Sequence, residues 1–250
     1  MEVCAKRASQ SSSQGFRLGE TTVVSVDVLL WGRERSAIAI RSKIGGLTNQ
    51  MRRTMATLNA PAISRYPVPK LEDLPEDIRA RMLEVQEKAG FIPNVFLTLA
   101  HRPEEFRAFF TYHDAIMLKE GGLTKAEREM IVVATSGMND CLYCIVAHGA
   151  ILRVYAKNPY VADQVAADYR QADITPRQKA MLAFALKVAR KASEIVDEDF
   201  AALRAHDFSD EDIWDIGAIV AFFALSNRMA GLIAMRPNDE FYLLGRGPKK

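Results

Sequence analysis

Asp140-Cys141-Leu142-Tyr143-Cys144-Ile145-Val146-Ala147-His148 sets two cysteines one helical turn apart and follows the second, four residues on, with a histidine. On a helix these spacings bring the three side chains to one face. Two sulfurs so placed can form and break a disulfide with little backbone movement. Asn139 or Asp140 reads as an N-cap, which puts Cys141 in the first turn, where the helix dipole and free backbone N–H groups favour a thiolate. An imidazole at His148 can take the thiol proton directly or through a water, so nucleophile and base come together in one short stretch.

Working upstream, Leu123 to Ala134 opens with a capping box, Thr124 to Glu127, and the pattern predicts a helix to about Ser136. Were that helix continuous into the cysteines, Glu129 would lie about 18 Å from Cys141 at roughly 1.5 Å per residue. Gly137-Met138-Asn139-Asp140 is turn chemistry instead, and predicts an αα-hairpin that returns Glu129 to the side of Cys144 and His148. A carboxylate there orients the imidazole. Its neighbours Glu127 and Arg128 read as ordinary surface-helix residues.

Glu129, Cys141, Cys144 and His148 at this spacing resemble the alkylhydroperoxidase AhpD and carboxymuconolactone decarboxylase superfamily, in its peroxidase-related branch. The resemblance runs from about Tyr66 to the C-terminus and includes Gly90-Phe91-Ile92-Pro93-Asn94 and Tyr112-His113-Asp114. It implies an all-α helical bundle and a proton relay of the glutamate, both cysteines and the histidine that reduces hydroperoxides. It further implies recycling by a lipoylated or thioredoxin-like dithiol protein, and assembly into trimers or hexamers. The best known members carry a histidine between the cysteines, where this chain has Tyr143. Tyr143 and His113 are candidates for lining the pocket.

Within that relay Cys144, nearer to His148, is the better placed to lose its proton, and Cys141 at the helix start is the more accessible to a reductant. Which one attacks the peroxide is left open. Two rivals accompany the peroxidase reading: a carboxymuconolactone decarboxylase-like enzyme, which needs no CxxC pair, and a redox-responsive oligomer that forms its disulfide without turnover. Cys141, Cys144 and His148 also supply zinc-ligand types, but no second CxxC or HxxxH completes a structural site, so neither metal nor cofactor is expected.

The rest of the chain reads as helical scaffolding. Leu74-Pro75-Glu76-Asp77 starts a helix, with proline at its first position, that stops at Gly90; Pro103 starts another expected to end at Gly121-Gly122; Asn158-Pro159 breaks the cysteine helix, and Tyr160 to Arg170 is a shorter one. Ile174-Thr175-Pro176-Arg177-Gln178 and Phe208-Ser209-Asp210-Glu211-Asp212 repeat the device of Leu123 to Glu127, each ahead of an apolar helix. This suggests a degenerate internal duplication of a helical hairpin. In its second copy Ser226, Asn227 and Arg228 stand in place of cysteines, so only the first is expected to carry chemistry.

With 250 residues, 49% hydrophobic, and 33 basic against 31 acidic side chains, the chain gives no electrostatic reason to expect nucleic acid. Three cysteines, two of them paired by spacing, suit a reducing compartment, and the cytoplasm is the expected one. Residues 1–60 differ in texture, rich in serine and arginine and poor in acid, with Cys4 unpartnered. They read as an extension ahead of a helical domain over 61–250: either a transit peptide to an organellar matrix or an over-long gene start before Met51 or Met55. Ile216 to Met235 is long enough to cross a membrane, but Asn227-Arg228 in its middle argues for burial in the core or at a subunit contact.

Overall fold

The computed structural model describes residues 62–247, which contain helices and no strand. The extension expected over residues 1–60, with its serine run and Cys4, lies outside the described residues. In chain order the helices are α1 (Glu76–Ala89), α2 (Asn94–Leu99), α3 (Pro103–Met117), α4 (Lys125–Met138), α5 (Leu142–Ala156), α6 (Val161–Asp168), α7 (Pro176–Lys191), α8 (Asp197–Arg204), α9 (Asp210–Leu232) and α10 (Glu240–Leu243).

The three repeated start signals form as expected: Thr124, Ser209 and Thr175 each cap their helix in a reciprocal box, with Glu127, Asp212 and Gln178. α4 is the central helix. It is buried from Glu127 to Ser136 and packs against α5, α6, α7 and α9. Ile131, Val132 and Val133 meet Met181 and Leu182 of α7, Leu152 of α5, and Ile216, Ile219 and Phe223 of α9 in one apolar core. A second cluster joins α1, α2 and α3 through Ile78, Met82, Phe96, Phe106 and Phe110, with the Phe96 and Phe110 rings stacked at 4.2 Å.

Several boundaries depart from the sequence expectation, each for a tertiary reason. Pro75 is the N-cap of α1 rather than its first residue. α3 ends at Met117, and Gly121-Gly122 belong to the following loop, which passes the first turn of α9 so closely that a Cβ on Gly122 would sit 2.4 Å from an Asp212 carboxylate oxygen. α4 runs through Gly137 to Met138, since the missing Cβ lets the Ala166 carbonyl approach to 2.9 Å of where that Cβ would stand. The reversal falls on Asp140, at φ 53°, and Cys141 is therefore the N-cap of α5, not a residue of its first turn.

Glu127 and Arg128 are buried rather than on the surface. Glu127 accepts from Arg177, and Arg128 reaches Asp215 and the Ile116 carbonyl. α9 has the length and apolar composition to cross a membrane, but half of its apolar window is buried among the helices of its own chain. Its other face points outward, with Trp214 74% exposed and Leu225 and Leu232 beside it.

Candidate active site

The α4–α5 reversal is held by backbone bonds: the Asn139 amide donates to Thr135 at 3.1 Å and the Cys141 amide to Ser136 at 3.0 Å. This returns α5 along α4 and sets His148 Nδ1 2.7 Å from Glu129 Oε2, both side chains largely buried. The edge-on ring of Phe223, 4.7 Å away between centroids, holds the imidazole from α9. With Nδ1 committed to Glu129, Nε2 is the ring atom left for other chemistry.

Cys141 and Cys144 are unbonded thiols, 4% and 1% exposed. Cys144 lines a cavity of about 730 Å³ together with Tyr143, Ala147 and His148 of α5, Phe223 and Ser226 of α9, Phe110 and His113 of α3, and Phe241 of α10. Charged residues of α1, Arg81 and Lys88 among them, stand on the same cavity. The interior is chiefly apolar and aromatic, as small-molecule sites are.

The two thiols titrate as one system. Hydrogen bonding from the Cys144 thiol pulls Cys141 down to about 7 against the opposing effect of burial, helped by the Cys144 backbone N–H, the Asn227 side chain and the charge of His148. Cys144 is pushed far above the ordinary thiol range by its bond to the Cys141 sulfur, by burial, and by the charge on that sulfur. The first negative charge therefore settles on Cys141, held chiefly by the Cys144 thiol, rather than on the cysteine nearer to His148. Cys144, not Cys141, meets the cavity.

Tyr143 and His113 both line that cavity, as expected of them. The Tyr143 hydroxyl accepts from the Val95 amide at 3.1 Å, and burial pushes its phenol up, so it anchors the start of α2 rather than moving protons. His113 Nδ1 lies 3.0 Å from Asp114, which also accepts from Arg81 at 2.8 Å; burial lowers this histidine and keeps it neutral near pH 7. No group of three or more His, Cys, Asp or Glu side chains fit to hold a metal occurs among the described residues.

Comparison with known proteins agrees with the fold. The model of the carboxymuconolactone decarboxylase family matches residues 103–159. A crystal structure from Ralstonia eutropha JMP134, described as an alkylhydroperoxidase AhpD core and an uncharacterized peroxidase-related protein, is 72% identical; the match covers 76% of this chain and 100% of that one, with a TM-score of 0.75. This chain belongs to the AhpD-like carboxymuconolactone decarboxylase family. A peroxidase-related protein from Silicibacter sp. TM1040 is a further member to which this AhpD-like chain is similar, at 38% identity over 75% of this chain and 98% of that one, TM-score 0.72. The debrominase Bmp8 shares the fold at 19% identity and a TM-score of 0.61, over 74% of this chain and 97% of that one. No curated protein matches.

The family segment of the AhpD-like chain spans α3 to α5 and so contains Glu129, Cys141, Cys144 and His148. It leaves out two residues that adjoin the site and that the sequence pattern gave no chemical part. Ser226 Oγ is 3.9 Å from Cys144 Sγ, and Asn227 bonds both Ser136 and Asn139 of the reversal. The second hairpin, set aside for its lack of cysteines, thus reaches the pair. Its signal was present as two polar residues inside the longest apolar run.

Proposed function

We propose that this chain is a thiol peroxidase that reduces organic hydroperoxides through Cys144 and Cys141 and is recycled by an external dithiol. One observation carries the reading: the cavity-facing thiol shares its chamber with an imidazole that Glu129 holds at 2.7 Å, and a second thiol adjoins it. Cys144 passes its proton to His148 Nε2 as its sulfur attacks the distal oxygen of the hydroperoxide, so no second thiolate stands beside the Cys141 anion. The O–O bond breaks, the sulfur becomes a sulfenic acid, and the leaving alkoxide takes the proton from His148. The Cys141 thiolate then attacks the Cys144 sulfur; hydroxide leaves as water after taking a proton from solvent, and a disulfide remains. Two electrons and two protons from a dithiol, lipoylated or thioredoxin-like, restore one thiol and one thiolate and release one proton. A reducing compartment suits that cycle, and we take the cytoplasm as its place.

The test is loss of tert-butyl hydroperoxide in the presence of excess dihydrolipoamide, catalysed by the purified full-length chain. Cys144→Ser and Cys141→Ser should each abolish turnover. His148→Gln and Glu129→Gln should each slow it about 10²-fold. Formation of one disulfide per chain with no further peroxide loss would replace this reading with the redox-responsive one. Activity on a lactone acid that survives both cysteine substitutions would favour the decarboxylase.

A further inference from the structure

We infer that the cavity takes a neutral ligand, an uncharged aryl or alkyl hydroperoxide whose hydroxyl hydrogen-bonds to His113 Nε2, and rejects one that carries a carboxylate. That the ligand is a hydroperoxide rests on the function proposed above; the selection by charge rests on how the cavity's own charges are already committed.

Among the described residues three carboxylates and two cations line the cavity, Asp77, Glu84 and Asp114 against Arg81 and Lys88. Both cations are taken. Arg81 donates to Asp114 Oδ2 at 2.8 Å and lies over the Phe110 ring at 4.9 Å, and Lys88 donates to Glu84 one turn before it on α1. Asp77 is held from α3 by Arg107, at 2.7 and 2.9 Å. An incoming carboxylate therefore meets an excess of negative charge, and to gain a cation it has to displace Asp114 or Glu84. Much of the remaining wall is aromatic, with Phe96, Phe110, Phe223 and Phe241. Such a wall gives an anion nothing to replace its water, whereas an aryl or alkyl body buries against it favourably.

One polar function remains for the ligand to meet. His113 Nδ1 faces Asp114 Oδ1 at 3.0 Å, and the other oxygen of that carboxylate is on Arg81, so the carboxylate accepts and Nδ1 carries the proton. Nε2 then holds a lone pair. Among the described residues no hydrogen bond reaches it, yet no buried side-chain nitrogen or oxygen is left without a partner, so Nε2 lies in open space, and the cavity is the space that His113 lines. His148 presents a similar imidazole, and both rings flank Phe223, at 6.4 and 4.7 Å between centroids. Its Nε2, however, is the receiver of the Cys144 proton in the proposed reaction. His113 is the acceptor left for the ligand. The charged and titratable groups around it are Asp114, Arg81, His148 and Glu129, and burial favours its neutral form, so its lone pair accepts an O–H and gives an anion no partner.

The experiment uses the purified full-length chain, reduced, and two unreactive ligands: 2-phenyl-2-propanol, the alcohol that cumene hydroperoxide leaves, and the same alcohol bearing a 4-carboxylate. Dissociation constants come from nuclear magnetic resonance titration. The neutral alcohol should bind about 10²-fold more tightly than the carboxylate. His113→Phe, which keeps an aromatic ring among Phe110, Phe222 and Phe223, should weaken the neutral alcohol about tenfold and leave isopropylbenzene, which has no hydroxyl, unchanged. His113→Gln restores an acceptor and should recover most of that affinity; should the phenylalanine variant fail to fold, His113→Leu takes its place. Glu84→Gln, at an exposed position, releases Lys88 and should tighten the carboxylate about threefold. Equal affinities for the two alcohols, none measurable for either, or a neutral-alcohol affinity that ignores the loss of His113 would overturn the inference. A chain that binds the neutral alcohol selectively but consumes no cumene hydroperoxide would remove the peroxidase reading and leave the cavity's choice of ligand standing. One that consumes cumene hydroperoxide and its 4-carboxylate with equal kcat/KM would do the reverse.

Discussion

Glu129 and His148 are 19 residues apart in the chain and 2.7 Å apart in space, and that single contact was legible before any coordinates. Its legibility came from locality: two helical periods joined by turn chemistry leave little freedom in where the second helix returns. The ionisation of the cysteines is also a residue-scale matter, and here the sequence held two readings side by side. It offered a thiolate at Cys141 from the helix start and proton loss at Cys144 from the nearby histidine; the structure favours the first, chiefly through the Cys144 thiol. A pH dependence follows. Cys141, pulled down to about 7, gains its proton as pH falls through that value, so disulfide formation should slow about tenfold for each pH unit below it. Stopped-flow mixing with peroxide across pH 5 to 9, without reductant, checks this; a rate still climbing to the ordinary thiol range would show that Cys141 is not the anion.

At the scale of elements, the three capping boxes were readable because a box needs only four consecutive residues. The burial of Glu127 and Arg128 was not, since their partners Arg177 and Asp215 lie 50 and 87 residues away and no local pattern announces them. Ser226 and Asn227 were set aside as bystanders for the same reason: their partners on the α4–α5 hairpin are 82 to 91 residues off. Arg128 joins the start of α4 to α9 through Asp215 and to the end of α3 through the Ile116 carbonyl. Lys119 is the other cation on Asp215. Arg128→Ala should therefore destabilise the fold by about 3–5 kcal/mol, because it leaves a buried carboxylate short of a partner. Urea unfolding measures this directly, and a loss below about 1 kcal/mol would mean that Lys119 compensates.

For the molecule as a whole, sequence patterning gave the fold class and the helical frame, but not which side of α9 the core would claim. An all-round apolar helix has no moment to read. The structure leaves Trp214, Leu225 and Leu232 facing outward, on the helix that family resemblance makes a candidate subunit contact. If copies meet there, Leu225→Glu should lower the molar mass found by light scattering, and an unchanged mass would remove α9 from the assembly. The carboxyl-terminal segment closes the other side of the cavity. Phe241 lines it, and Arg153 of α5 donates to the Phe241 carbonyl at 2.7 Å and to that of Leu244 at 2.9 Å. Ribosomal synthesis runs from the other end. At roughly 5–20 residues per second, the hundred residues between the cysteine pair and this clasp take about 5–20 s to follow. For that interval the nascent chain already bears both thiols and lacks the wall that will enclose them, so a newborn molecule meets cellular oxidants and disulfides on terms that the finished one does not.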